Sequence, residues 1–372
     1  MDGPIRFGLT FDDVLLEPRE SGVVRDGTKL ETKLTRKIKL QIPILAAAMD
    51  TVSEDAMAVS LGRLGGMAVI HRNCSIQEQV RMIRKVKMAK PGSAPAGSTI
   101  RVGAAVGSYD LERAKALDKA GADAIVVDTA HAHNLMAIND AKKIKKSIKA
   151  ELIVGNIATR EAAAELVKFA DAIKVGVGPG SICTTRVVAG IGVPQLTAIL
   201  DVAKIAAKKN IPVIADGGIK YSGDAVKALA AGASVVMLGS MLAGTREAPG
   251  KIIKIGGKLY KSYRGMGSLG VMQGGKSSDR YFQHPLSISP LIRGRINGGY
   301  VPEGVEAVTA YKGELADVIF QITGGIKSGM GYIGAATIAD IPKRARFIQI
   351  TGAGLKESHP HGITITKKAP NY

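Results

Sequence analysis

Cys183 lies in the run Gly176-Val177-Gly178-Pro179-Gly180-Ser181-Ile182-Cys183-Thr184-Thr185-Arg186, the strongest chemical signal in this sequence. A thiolate is the strongest simple nucleophile among side chains, and cationic neighbours lower a thiol's pKa. The surrounding glycines free the backbone to approach a ligand or to expose its carbonyls. Thr184, Thr185 and Arg186 place donors beside the thiol. A free cysteine is more often an inert buried residue, and Cys74, on a strand-to-helix connection, carries that plainer reading.

Two further constellations accompany the thiol. Asp216-Gly217-Gly218 and Gly239-Ser240 each follow an apolar run, where backbone N–H groups in a pair of adjacent loops can cradle a phosphate. Residues 261–312 are rich in glycine and polar residues and hold no helical period, as expected of a mobile lid. That stretch contains Tyr263-Arg264-Gly265-Met266-Gly267-Ser268, then Ser278-Asp279-Arg280-Tyr281, then Val301-Pro302-Glu303. By spacing alone Arg280 reads as an anion binder and Glu303 as a surface carboxylate, because free arginine stays protonated.

Something must hold these groups in register. Eight short runs rich in Val, Ile and Ala recur at 42–47, 67–71, 102–107, 124–130, 152–157, 172–178, 211–215 and 234–239. Between them, segments such as 108–120, 159–169, 197–209 and 222–231 repeat Ala and Leu at helical spacing with Lys and Glu opposite. Continuous apolar strands alternating with helices predict a parallel sheet covered by helices, and eight units favour a closed (β/α)8 TIM barrel. Asp50, His71, Asp128, Asn156, Asp216 and Ser240 fall at or just past the C-terminal edges of these runs, the mouth where barrel active sites gather. The expected organisation is one catalytic domain over 1–372, a short Pro/Gly/Ser/Ala linker at 88–100 and a flap at 261–312.

Composition narrows the class. The 372 residues are 46% hydrophobic and 22% charged, which suits a large globular core and excludes a disordered chain. No apolar run is long enough for a membrane span and no signal-peptide core is present, so a cytoplasmic protein is expected. Two cysteines make neither a disulfide scaffold nor a zinc-ligand spacing. The net charge of +19 invites a nucleic-acid reading, yet aromatics are only 4% and Trp is absent, so the lysines (Lys142, Lys143, Lys145, Lys146, Lys149) read as a solvated helical face.

These residues together resemble the inosine-5′-monophosphate dehydrogenase family. The resemblance rests on GVGPGSICTTR together with LTFDDVLL (9–16), AAMDTVSE (47–54), YRGMGSLG, SSDRYFQ and the tail ESHPHGITITKKAPNY, in order from about residue 5 to the end. It implies that Cys183 attacks C2 of IMP, that hydride passes to NAD+, and that the flap then replaces NADH while Arg280 with Tyr281 activates the hydrolytic water. Thr185 and Glu303 match a second proton relay, with Glu303 also contacting the base. Asp216, Gly218, Gly239, Ser240 and Tyr263 match ribose and phosphate contacts; Ser181, Asn156, Met49, Met266 and Gly267 match further substrate contacts. Asp128 and Thr129 match the nicotinamide side. Carbonyls of Gly178, Gly180 and Cys183 match a potassium site completed by Glu357, Ser358 and His359 from a neighbouring subunit, which implies a homotetramer.

Two departures stand out. The paired cystathionine-β-synthase-type regulatory domains usual in the family would be inserted where only the linker lies. Ala132 stands where the family has Gly, which crowds the backbone on the dinucleotide side. The alternatives are a GMP reductase using NADPH, whose motifs lack the Arg–Tyr flap pair, an FMN-dependent barrel oxidoreductase, and a basic RNA-binding scaffold.

Overall fold

A computed structural model of the chain describes residues 5–92, 99–274, 278–281, 283, 299–367 and 369–372. Six residues of the expected linker and much of the expected flap therefore lie outside the described residues. The eight apolar runs all become strands: β1 Ile44–Ala46, β2 Met67–Ile70, β3 Val102–Val106, β4 Ala124–Asp128, β5 Glu151–Ile157, β6 Ala172–Val175, β7 Val213–Asp216 and β8 Val235–Leu238. They are parallel and in sequential order, and the barrel closes where Val236 and Leu238 of β8 pair with Ile44 and Ala46 of β1.

Helices return each strand to the bottom of the barrel: α1 Asp55–Arg63, α2 Ile76–Met88, α3 Leu111–Lys119, α4 Leu135–Ser147, α5 Arg160–Leu166, α6 Gln195–Ala206, α7 Ser222–Ala230 and α8 Leu315–Ile333. Their starts follow from local chemistry. Ser75 and Glu78 form a reciprocal capping box on α2, and Asn134 and Thr159 cap α4 and α5 through their side chains. The lysines of α4 occupy its outer surface, with Lys143 paired to Asp140 and Lys142 over the Phe169 ring.

Alternation along the strands divides the apolar mass in two. Ile44, Ile125, Ile173 and Val236 face the helices, whereas Leu45, Val126, Ile153, Ala172, Ile214 and Met237 fill the barrel interior. Leu34, Ile38 and Leu40, around the hairpin of Thr32–Lys33 and Lys39–Leu40, join the interior cluster and plug its N-terminal end. The interior parity carries upward to polar residues: Asp128 follows Val126 by two, Lys174 follows Ala172, and Asp216 follows Ile214.

The expectation that 261–312 lacks regular structure is corrected. Its ends are strands of an antiparallel sheet formed by β9 Ile252–Ile255, β10 Lys258–Arg264 and β11 Glu306–Ala310. The pairing of β10 with β11 joins residues more than forty positions apart (Arg264 with Glu306), so no local period announces it. Outside the barrel, Val14–Leu16 pairs antiparallel with Phe347–Gln349, bringing the two ends of the chain together.

Candidate active site

The loop after β6 carries Cys183 to the mouth of the barrel, where the thiol bonds to Thr185 Oγ1 at 3.3 Å. The Cys183 N–H donates to the Gly180 carbonyl at 3.1 Å, which folds the loop back on itself. Segment 301–305 is laid against it as a short antiparallel stretch: Thr184 N–H donates to the Glu303 carbonyl at 3.0 Å, and Val305 N–H to the Ile182 carbonyl at 3.0 Å. The backbone thereby delivers Glu303 to the thiol's cavity, so the surface reading of this carboxylate is set aside. Arg186 lies close enough to interact electrostatically with Cys183, but its hydrogen bonds go elsewhere. Its guanidinium reaches back to the carbonyls of Val193 (2.7 Å) and Val177 and ties the loop down.

Beneath the thiol the topmost interior layer of the barrel is polar. Lys174, buried at 1% exposure, donates to Asp128 Oδ1 at 2.9 Å, to Asp216 Oδ2 at 2.6 Å and to Asn156 Oδ1. Asn156 Nδ2 donates in turn to Asp216 Oδ2 at 3.0 Å and to the Gly176 carbonyl at 2.7 Å. A buried cation with carboxylates on two sides satisfies the rule that interior charges are paired.

The loops after β7 and β8 form the next wall. Gly217 and Gly218 both take left-handed φ values, 92° and 79°, which side-chain-bearing residues rarely adopt, so the turn after Asp216 needs glycine twice. Gly239 and Ser240 follow β8 and line the same cavity, together with Ser181, Met49 and Met266. Tyr263, from the end of β10, is buried against them; burial pushes its hydroxyl's pKa up, while bonds to Ser181 and Ser240 pull it back.

The third wall comes from the flap. Ser278–Tyr281 forms a short 3-10 turn whose Arg280 inserts into the cavity, with Nη1 paired to Asp128 Oδ2. The Ala130 N–H donates to the Arg280 carbonyl at 3.0 Å, and buried Arg72 holds Asp279 at 2.8 Å. Burial pushes Arg280 below the ordinary guanidinium range, with Arg72 acting the same way and Tyr281 opposing; the Asp128 contact favours the charged form while the turn is docked. Its Nε is buried and has no hydrogen-bond partner among the described residues. Burial also raises the Tyr281 hydroxyl, against the pull of Arg280.

One cavity thus gathers Cys183, Thr185, Glu303, Arg280, Tyr281, Asp128, Asn156, Asp216, Ser181, Met49, Met266, Gly218, Gly239, Ser240 and Tyr263. The loop residues Gly178 and Gly180 border it as well. Other expected positions lie elsewhere. Thr129 is turned away, its hydroxyl on the Gly155 carbonyl at 3.2 Å, and Gly267 sits behind the Tyr281 ring. Ala132 is packed into the outer core and donates its N–H to the Asn156 carbonyl at 2.8 Å, so its methyl does not project into the cavity. Glu357 and Ser358 are exposed and His359 is half-buried at the end of the C-terminal helix Gly352–Glu357, where His359 meets the rings of Tyr221 and Tyr372, apart from this chain's own cavity.

Sequence reasoning misses Lys174 and Arg72. A lysine inside the otherwise apolar run Ala172–Val175 is the available signal for the first; the second follows β2 with no signal of its own.

Similarity to known proteins extends over nearly the whole chain. Residues 8–361 match the family model described as "IMP dehydrogenase / GMP reductase domain". Inosine-5′-monophosphate dehydrogenase of Cryptosporidium parvum is 47% identical over 400 aligned positions, covering 98% of each chain. The proteins of that name from Aquifex aeolicus and Halobacterium salinarum are 41% and 40% identical, covering 99% and 98% of this chain and 98% and 95% of their own lengths.

Proposed function

The chain belongs to the IMP dehydrogenase/GMP reductase family, and we propose from that premise that it oxidises IMP to XMP with NAD+. The observation that carries this reading is the placement of the flap pair Arg280–Tyr281 inside the cavity that holds Cys183. A reductase releasing ammonia from GMP needs no such pair, and the relatives' shared name favours the dehydrogenase as well.

The residues divide the work as follows. Ser181, Gly218, Gly239, Ser240 and Tyr263 take the phosphate; Asp216 takes the ribose hydroxyls; Met49, Asn156 and Met266 border the base, where Glu303 also contacts it. Binding energy from the phosphate end fixes C2 over the thiol. The Cys183 thiolate adds to C2, forming the C–S bond; NAD+, when bound, accepts the hydride that leaves C2. The resulting thioimidate stays on Cys183 until a water adds to C2 and the C–S bond breaks, returning the thiolate and giving XMP. Arg280, with Tyr281, takes the proton of that water, and Thr185 with Glu303 forms a second relay.

Asp128 fits the nicotinamide side because the oxidised ring is a planar cation, like the guanidinium that this carboxylate already pairs with. The two cannot occupy it together, so the flap docks after NADH leaves. The same exclusion shields the adduct from premature hydrolysis.

For the monovalent cation, carbonyls of Gly178, Gly180 and Cys183 would hold K+, completed by Glu357, Ser358 and His359 of the partner subunit. The placement of those C-terminal residues apart from this chain's own cavity supports donation to a neighbour within a homotetramer. Among the described residues no helix is long and apolar enough to cross a membrane, and a cytoplasmic enzyme is proposed. The alignment with the Halobacterium relative extends over 484 positions, longer than this chain's 372 residues, so that relative carries sequence absent here. This supports a form without the inserted regulatory pair. The test is turnover measured with IMP plus NAD+ and with GMP plus NADPH: NADH formation in the first, and no NADPH consumed in the second, is expected.

A further inference from the structure

Lys174 has a place in the site that the proposed reaction does not use. Its ammonium is shared between two carboxylates facing different parts of the cavity. Asp216, at the end of β7, faces the ribose and phosphate loops; Asp128, at the end of β4, receives the flap. The bonds are divided by atom: Asp128 accepts from Lys174 at Oδ1 and pairs with Arg280 at Oδ2, while Asp216 accepts from both Lys174 and Asn156 at Oδ2. Four groups in a row, Arg280, Asp128, Lys174 and Asp216, thus alternate in charge across the floor of the cavity.

We propose that Lys174 is a positioning residue that sets how firmly the flap docks, by supplying Asp128 with a competing cation whose strength depends on Asp216. In a buried site each carboxylate needs a cation, and removing one leaves the remaining partner held harder. With Lys174 present, Asp128 keeps a partner when Arg280 leaves, so undocking does not strand a bare charge. Without it, undocking would do so, and Arg280 would stay. Neutralising Asp216 has the opposite effect: Lys174 is left with Asp128 as its sole anion, pairs with it more strongly, and loosens Arg280. The consequence for turnover, that ribose contacts at Asp216 reach the flap through this lysine, rests on the function proposed above. The docking relation itself does not.

The experiment is limited trypsin digestion of the full-length, ligand-free protein, following by mass spectrometry the fragment that ends at Arg280. Cleavage there requires the guanidinium to leave Asp128, and cleavage elsewhere in the same digest reports general loosening. Lys174→Met is expected to slow cleavage after Arg280 by at least about threefold, with Lys174→Arg within about twofold of the unsubstituted protein. A lysine that served only to stabilise the barrel would give the opposite sign, faster cleavage at every site. Unchanged or faster cleavage after Arg280 in Lys174→Met overturns the proposal. Should that variant not fold, Asp216→Asn decides: faster cleavage after Arg280 with the other sites unchanged supports it, and no change at Arg280 overturns it. None of these readouts needs turnover, so a protein inactive on IMP would refute the proposed function and leave this test intact.

Discussion

Arg280 and Asp128 are ion-paired inside the cavity, through Nη1 and Oδ2, although they are 152 positions apart in the chain and one belongs to the flap and the other to a barrel strand. The Ala130 N–H, two residues beyond Asp128, seals the contact by donating to the Arg280 carbonyl at 3.0 Å. A carboxylate occupied in this way is closed to a cationic ring. Under the proposed function, docking of the flap and residence of the dinucleotide would alternate, the order that a covalent adduct needing first a dry and then a wet site requires.

Arg280→Ala should slow hydrolysis of the adduct by about 10²–10⁴-fold while hydride transfer changes far less. The check is rapid-mixing absorbance: a full burst of NADH followed by a very slow steady state is expected. Loss of the burst would show that Arg280 serves the earlier step instead.

A pH dependence follows from the same residue. Burial disfavours the guanidinium, so Arg280 sits below its ordinary range, and lowering a pKa enlarges the neutral fraction at every pH beneath it. That fraction grows by about tenfold per pH unit, so hydrolysis should accelerate from neutral to alkaline pH. Arg280→Ala should flatten the profile. A hydrolysis rate independent of pH in the unsubstituted protein would exclude neutral Arg280 as the base.

Gly267→Ala tests the seat of Tyr281. A Cβ at residue 267 would lie 2.6 Å from Tyr281 Cζ, closer than carbon atoms tolerate, so the ring must move. Hydrolysis is expected to fall at least about tenfold while IMP affinity, measured by titration calorimetry, stays within about twofold. Equal losses in both would mean that Gly267 acts on the substrate side.

Asp216→Ala removes the acceptor proposed for the ribose hydroxyls and leaves Lys174 without one of its two carboxylate partners. The KM for IMP should rise by at least about tenfold, corresponding to one or two lost charge-assisted hydrogen bonds. An unchanged KM for IMP would place the ribose elsewhere.

Much of the fold is legible in the amino-acid sequence, and the reasons are physical. Eight buried parallel strands are apolar on both faces, so they stand out as runs such as Ala124–Asp128 whatever their interior parity. Cys183 and the glycines around it are legible because a thiol set among closely spaced glycines is a local signature in the sequence. The polar floor is legible only in part. Asp128, Asn156 and Asp216 lie at or near the ends of their strands, whereas Lys174 lies inside one, and its role emerges only when three separate strands place their carboxylate and amide groups around it. Segment 261–312 reads as lacking strands because β10 and β11 find each other across the whole flap. Glu303 looks superficial for the same reason: its place depends on backbone bonds to the cysteine loop that no spacing encodes.

The most direct test is intact-protein mass spectrometry of samples acid-quenched while turning over IMP and NAD+, followed by peptide mapping. A covalent mechanism at Cys183 predicts a purine-nucleotide adduct on the peptide containing that residue, absent without NAD+, lost in Cys183→Ala and accumulated in Arg280→Ala. Full turnover by Cys183→Ala, with no adduct at any residue, would contradict it.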